Sequence, residues 1–451
     1  MPVSTPATPT APSTAPRDGG VAIVLPGGGA RGAYEAGALS VLLPELERRG
    51  ERVSVVCGTS VGAINAALLG SLADRPADEI ASITQARWRD MRKTDVIRPV
   101  FGPNLPLVGL RMLGELLEVP GVRLASVLDP SPLQRSLTKW VDWLALHRNV
   151  KHGMIDAVCV VATALTRSGP VAFVETKGAM PKSSPRDDLR YVRVPSLQPE
   201  HVRASAAIPL LFPPVEVTTP KSAADFYIDG GTRLNSPISP ALSLGADKVV
   251  IIGFEPYADR PPVPEKPPVP RLADVAANIV DGLLVDQVSD DLQRMVSINS
   301  FFVEGASAGS STSQSARAYR KARGRHPYKR ISYALVAPER RGEMGLIAER
   351  VFRERYSGLR GLRDIDYPLM SRLLGGERTR ARGELLSFLL FDQVFVEALL
   401  EAGAADARRW LDRHPRFWCS DASHDFHVDA IEHEAAREQL AIDEWRSLRR
   451  R

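Results

Sequence analysis

Short apolar runs recur along the first half of the chain, and most lead into a glycine-rich turn or a segment of helical spacing. Val21–Leu25, Val53–Cys57, Ala157–Ala164, Val171–Glu175, Phe226–Ile228 and Lys248–Gly253 are dominated by apolar residues, the pattern of strands buried on both faces. Their alternation with helical patterns predicts an α/β fold: a mostly parallel sheet covered by helices on both faces. Residues 75–150 break that rhythm and read as an insertion of helices and loops. Trp88, Met91, Leu107, Leu110, Met112, Leu113, Leu116 and Leu117 make part of it strongly apolar, as a cap over a site or a lipid-facing flap would be.

The second half reads differently. Arg260–Pro270 is proline-rich, a linker semi-rigid in polyproline form. Beyond it, Leu272, Val275, Ile279, Leu283, Leu292 and Met295 approximate a helical face. Ile331, Tyr333 and Leu335 alternate with polar or small neighbours, which predicts a late strand of the main sheet near 331–336. The apolar run 383–392 is helical in pattern and open to three uses: core helix, dimer face or membrane-surface element. The expected organisation is therefore a disordered tail over 1–19, a catalytic domain over 20–259, a linker over 260–270 and a mostly helical region over 271–451.

Composition narrows the class. A chain of 451 residues with 44% hydrophobic and 25% charged residues is that of a globular protein. Its net charge of +5 is mild, and no dense basic block with interleaved aromatics occurs, so nucleic acid is not an expected partner. The three cysteines are far apart; Cys57 and Cys159 sit in apolar runs as small buried residues and not as a disulfide frame. No run of 18 or more apolar residues occurs, and Met1–Gly19 lacks both the charged start and the apolar core of a secretory signal. The expectation is a cytoplasmic protein, with peripheral contact at a membrane surface and homo-oligomerisation left open.

Two glycine turns carry candidate chemistry. Gly58-Thr59-Ser60-Val61-Gly62 stands between a strand pattern and a helix pattern, where a serine is pushed out of the backbone and its hydroxyl can attack a carbonyl. Alternatively, Ser60 is only a helix N-cap in a βα turn. Gly27-Gly28-Gly29-Ala30-Arg31-Gly32 follows the first strand. Its spacing matches a dinucleotide fingerprint, but the second strand ends in Cys57-Gly58-Thr59-Ser60 without the acidic residue such a site needs. Several backbone N–H groups aimed at one point also suit an oxyanion hole, and the serine turn favours that reading. Asp229, in Asp229-Gly230-Gly231, is by itself a turn signal. Beside a serine nucleophile it becomes a candidate general base. The eight histidines lie in no strong motif, so a Ser–Asp dyad fits better than a Ser–His–Asp triad. His424, His427 and His433 read as a polar surface and not as metal ligands.

In that order, Gly27–Gly32, Gly58–Gly62 and Asp229–Gly231 resemble the three signature blocks of the patatin-like phospholipases. Leu128-Asp129-Pro130-Ser131-Pro132-Leu133 and the block from Ala204 to Pro214 resemble two further segments of that family, and the resemblance spans roughly 20–255. It implies a three-layer α/β/α fold and lipid acyl hydrolysis by a Ser–Asp dyad, without metal or other cofactor. Ser60 is then the nucleophile, Asp229 the base, Gly27, Gly28, Gly29, Ala30, Arg31 and Gly32 the oxyanion loop, and a lipid or phospholipid the substrate. Pro26 departs from the family pattern and stiffens the entry to the loop without removing an N–H from the glycines. Arg31 orients the loop or meets a phosphate headgroup. An acyltransferase using the same acyl-enzyme and a catalytically silent lipid-binding protein remain alternatives.

Overall fold

The computed structural model describes residues 20–96, 131–181, 188–209, 212–256, 295, 299, 331–356 and 380–419, the last of these from 383 onward with side chains. The tail, the proline-rich linker, Leu107–Leu117, most of the helical face after 271 and the histidines 424, 427 and 433 lie outside those residues.

Among the described residues nine strands form one sheet. They are β1 (Val21–Leu25), β2 (Val53–Thr59), β3 (Ala157–Ala164), β4 (Gly169–Thr176), β5 (Arg190–Arg193), β6 (Val215–Val217), β7 (Asp225–Asp229), β8 (Lys248–Ile252) and β9 (Ser332–Val336). The order is β5-β4-β3-β2-β1-β8-β9, with β7 paired to β3 and β6 to β7. The central strands pair in parallel: β1 with β2 and β8, β2 with β3, and β8 with β9. Every residue of β1 and β3 is buried, as their unbroken apolar sequences require. β5 and β6 have no counterpart in the apolar pattern. Arg190-Tyr191-Val192-Arg193 and Val215-Glu216-Val217 are short and interrupted by charged residues, so only their sheet partners define them.

Helices flank the sheet, giving the three-layer α/β/α arrangement. They are α1 (Gly32–Arg48), α2 (Val61–Leu72), α3 (Ala77–Asp90), α4 (Lys93–Val96), α5 (Ser131–Trp140), α6 (Trp143–His152), α7 (Pro199–Ser205), α8 (Ile238–Ser243), α9 (Glu343–Tyr356), α10 (Arg380–Leu389) and α11 (Gln393–Arg413). All residues of α2 are buried, since it packs on β1, β2 and β3 beneath α1, α3 and α6.

The C-terminal helices belong to the same core. α11 lies along α1 at backbone contact: a Cβ on Gly37 would stand 2.1 Å from the Leu400 oxygen, and one on Gly403 2.1 Å from the Tyr34 oxygen. The Tyr34 hydroxyl, fully buried, closes this crossing by donating to Asp406 Oδ2 at 2.7 Å. β9 extends the sheet in parallel register, Lys248 opposite Ser332, and Cys419 pairs with Tyr333 through two backbone hydrogen bonds of 2.7 and 2.8 Å on its other edge. The apolar run of α10 and the residues after it, Leu385–Phe391, is buried in protein. No described helix is long and apolar enough to cross a membrane.

Candidate active site

Ser60 sits between β2 and α2 with φ 54° and ψ −121°, a conformation uncommon for any residue with a side chain. The flanking glycines make it attainable. A Cβ on Gly58 would lie 2.1 Å from the Gly62 oxygen, and one on Gly62 2.1 Å from the Leu25 oxygen, so the turn closes only without side chains there. The Ser60 N–H donates to Ser205 Oγ at 2.8 Å, and Ser205 donates to the Val161 oxygen at 2.5 Å. The turn is thus tied through α7 to β3.

Sheet topology brings Asp229 to the serine. β2 runs parallel to β3 and ends with Thr59 opposite Val161. β7 runs antiparallel to β3 and ends with Asp229 opposite Ala162. The two strands therefore approach along the same edge of β3 from opposite directions, and their C-terminal ends meet. At that junction Ser60 Oγ donates to Asp229 Oδ2 at 2.5 Å. Asp229 Oδ1 accepts the Gly231 N–H at 2.8 Å, and the Asp229 N–H is held by the Ala207 oxygen at 2.8 Å. Asp229 is fully buried and Ser60 is 5% exposed. Burial pushes the Asp229 carboxyl up to about 7; the hydrogen bonds from Ser60 and Gly231 pull the other way and lose.

The glycine loop lies against the serine. A Cβ on Gly27 would stand 2.9 Å from Ser60 Cβ. The Gly27 N–H is engaged by Asn235 Oδ1 at 2.9 Å, the Arg31 N–H by the Gly28 oxygen at 3.2 Å, and the Gly32 N–H by the Gly29 and Ala30 oxygens. Among the described residues the N–H groups of Gly28, Gly29 and Ala30 have no acceptor. Gly29 takes φ 59°, and a Cβ there would lie 2.3 Å from the Phe388 oxygen of α10.

Arg31 explains that proximity. Its side chain is fully buried and points into α10, away from solvent. Nε donates to Ser387 Oγ at 2.7 Å, Nη2 donates to the Glu384 oxygen at 3.2 Å and pairs with the Glu384 carboxylate, and the guanidinium stacks 4.1 Å over Phe388. Of the two roles open to Arg31, holding the loop is the one its surroundings provide. Glu255 stands nearby with its carboxyl pushed up to about 7, by burial first and by the like charge of Glu384 second.

Several supporting residues were invisible to motif reading. Ser205 lies within the block from Ala204 to Pro214 and Asn235 shortly after the Asp229 block, yet neither residue type signals a role. Glu35 is buried on α1, accepts from Asn65 Nδ2 at 2.7 Å and has its carboxyl pushed well up by burial. Asn65 also takes the Trp88 indole N–H at 3.0 Å and donates to the Gly32 oxygen at 3.1 Å, tying α3 to the start of α1. Glu384 and Ser387 are farther still: 353 and 356 residues from Arg31. None of the described histidines hydrogen-bonds to Ser60 or Asp229; His201 is held by Gln198 and Thr219, and His147 by Glu175.

Residues 23–242 match the family model described as patatin-like phospholipase. A comparison with curated proteins returns no match. Among solved structures, VipD from Legionella pneumophila is 13% identical, with 88% of this chain and 67% of that chain covered and a TM-score of 0.31. A chain of the heterodimeric ExoU–SpcU complex from the type III secretion system of Pseudomonas aeruginosa is 16% identical, with 82% and 75% covered and a TM-score of 0.23. At these scores neither superposition bears on mechanism.

Proposed function

With residues 23–242 forming a patatin-like phospholipase domain, we propose that the chain is a lipid acyl hydrolase that cleaves carboxylic esters through an acyl-enzyme on Ser60. The observation that carries this reading is the 2.5 Å hydrogen bond from Ser60 Oγ to Asp229 at the strained turn. Asp229 takes the Ser60 proton as Oγ bonds to the ester carbon, and the carbonyl electrons move onto oxygen. The N–H groups of Gly28 and Gly29, which have no acceptor among the described residues, hold that oxyanion, and the positive end of α2 adds to the field. Collapse of the intermediate breaks the bond to the alcohol, which leaves with the proton from Asp229. Water then repeats the sequence on the acyl-enzyme and releases the fatty acid.

A base whose carboxyl is raised to about 7 suits this role, because about half of it is ionised at neutral pH and it is basic enough to draw a proton. The test is hydrolysis of a nitrophenyl ester and of a fluorogenic phospholipid, with fluorophosphonate labelling, by wild type, Ser60→Ala and Asp229→Asn. Turnover lost in both variants and labelling lost in Ser60→Ala are expected. Full turnover by Asp229→Asn overturns the dyad, and an unlabelled, inert wild type overturns the hydrolase.

A further inference from the structure

Away from Ser60, a cavity of about 640 Å³ opens between α3, α4 and α5. Arg87 of α3 and Arg135 and Lys139 of α5 line it, facing one carboxylate, that of Asp95. Among the described lining residues, three cations against one anion leave a surplus of two positive charges, the charge of a phosphate monoester with its sign reversed.

Arg87, Arg135 and Lys139 make no ion pair or hydrogen bond among the described residues, and Arg87 Nε is buried without an acceptor. Neighbouring arginines behave otherwise: Arg75 pairs with Glu79, Arg89 with Glu397 and Arg148 with Asp74. Asp95 is occupied locally, its Oδ2 taking the Arg92 N–H at 2.9 Å and its backbone oxygen the Ser136 hydroxyl at 2.7 Å. Arg135 and Lys139 are one turn apart on α5, an arrangement that repels unless an anion lies between them. A buried guanidinium N–H without a partner is costly, and a bound oxyanion removes that cost.

The cavity is not an extension of the Ser60 site. Trp88, next to Arg87 on α3, takes the inward direction: it is buried, bonded to Asn65, and would meet a Cβ on Gly32 at 2.6 Å. Consecutive residues of a helix point about 100° apart, so α3 presents Arg87 to the cavity from a different side. The surroundings favour a lipid surface as the source of the anion. Trp140 is half-buried at the cavity, and Leu144, four residues on, is 79% exposed; indole and apolar side chains beside cations suit the headgroup region of a bilayer.

We propose that Arg87, Arg135 and Lys139 form a binding site for a phosphate monoester, presented by an anionic lipid headgroup, separate from the hydrolytic centre. A free phosphate ester offers the same chemistry, so the test has arms for both. Wild type, Arg87→Gln and the double variant Arg135→Gln/Lys139→Gln are sedimented with vesicles of phosphatidylcholine alone, with phosphatidic acid (a monoester) and with phosphatidylglycerol (a diester). Thermal shifts with glycerol 3-phosphate form the second arm. Wild type is expected on phosphatidic acid vesicles and not on phosphatidylcholine. The double variant, both of whose substituted side chains are exposed, binds about 30-fold more weakly, while hydrolysis of a soluble short-chain ester is unchanged. Stabilisation by glycerol 3-phosphate that the variants lose, without vesicle binding, keeps the site and overturns the lipid source. Equal binding to both anionic vesicles at matched surface charge, or equal binding by wild type and double variant, overturns the proposal.

Discussion

The serine–aspartate junction and the glycine loop meet at one point but are held by different means. Ser60 and Asp229 are fixed by the sheet: β2 and β7 end against adjacent residues of β3, and both amides are bonded to the same region, Ser60 through Ser205 and Asp229 through Ala207. The loop begins at a strand but its arginine is buried in α10, beyond the segment that matches the family model. The proposed nucleophile and base thus inherit the rigidity of hydrogen-bonded strands. The loop depends on a docked helix whose hold is one ion pair, one hydroxyl and a stacked ring. The two parts can therefore be perturbed separately.

Ser60→Ala should have the largest effect, with ester turnover down by about 10⁴-fold or more and no fluorophosphonate labelling, measured against retained secondary structure by circular dichroism. Asp229→Asn follows, with a loss of about 10³- to 10⁴-fold. It should also stabilise the fold. The Asp229 carboxyl is raised from 3.8 to about 7, so the folded state holds a proton that the unfolded state has released, and stability falls as pH rises between those values. Above pH 7 the asparagine removes that cost, of order 4 kcal/mol. A melting temperature at pH 8 no higher than that of wild type would count against a desolvated carboxylate.

The loop should respond differently. Glu384→Gln leaves Arg31 buried without its counter-charge, and we expect kcat to fall about 10- to 100-fold, no more than the lower end of the cost of one lost oxyanion donor, with little change in KM. The pH profile separates the two regions. In wild type kcat/KM rises with pH through a midpoint near 7 and levels off above about 8, because the base must be ionised. Glu384→Gln should keep that midpoint, whereas a shifted midpoint would mean that the loop anchor acts on Asp229 itself. The smallest effect belongs to Glu35→Gln. Burial keeps that carboxyl protonated well above its ordinary range, so an amide that still accepts from Asn65 should leave activity and stability at pH 7 nearly unchanged in a kinetic assay and a denaturant titration.

Strand patterns were legible where burial is complete on both faces, as in β1 and β3, because an unbroken apolar run has few other solutions. β5 and β6 were not, since their existence depends on a neighbour's free edge. The two glycine turns were legible for a related reason. A strained turn needs glycines on both sides, and a loop of N–H donors needs glycines within it, so Ser60 and Gly27–Gly32 stand out as composition. Glu384 and Ser387 carry no such mark: a glutamate and a serine on an amphipathic helix have many uses, and only docking selects one.

By itself, then, the sequence determined what short-range sterics and burial dictate: the turns, the core strands and the candidate residues at the turns. The tertiary structure decided the rest. It brought Asp229 into line with Ser60 through the register of two strands on β3, took the Gly27 N–H for Asn235 while those of Gly28 and Gly29 have no acceptor among the described residues, and turned Arg31 inward onto α10. Each of those outcomes pairs residues 169 to 356 positions apart, and contacts at such separations follow from how whole elements pack, which local pattern does not encode.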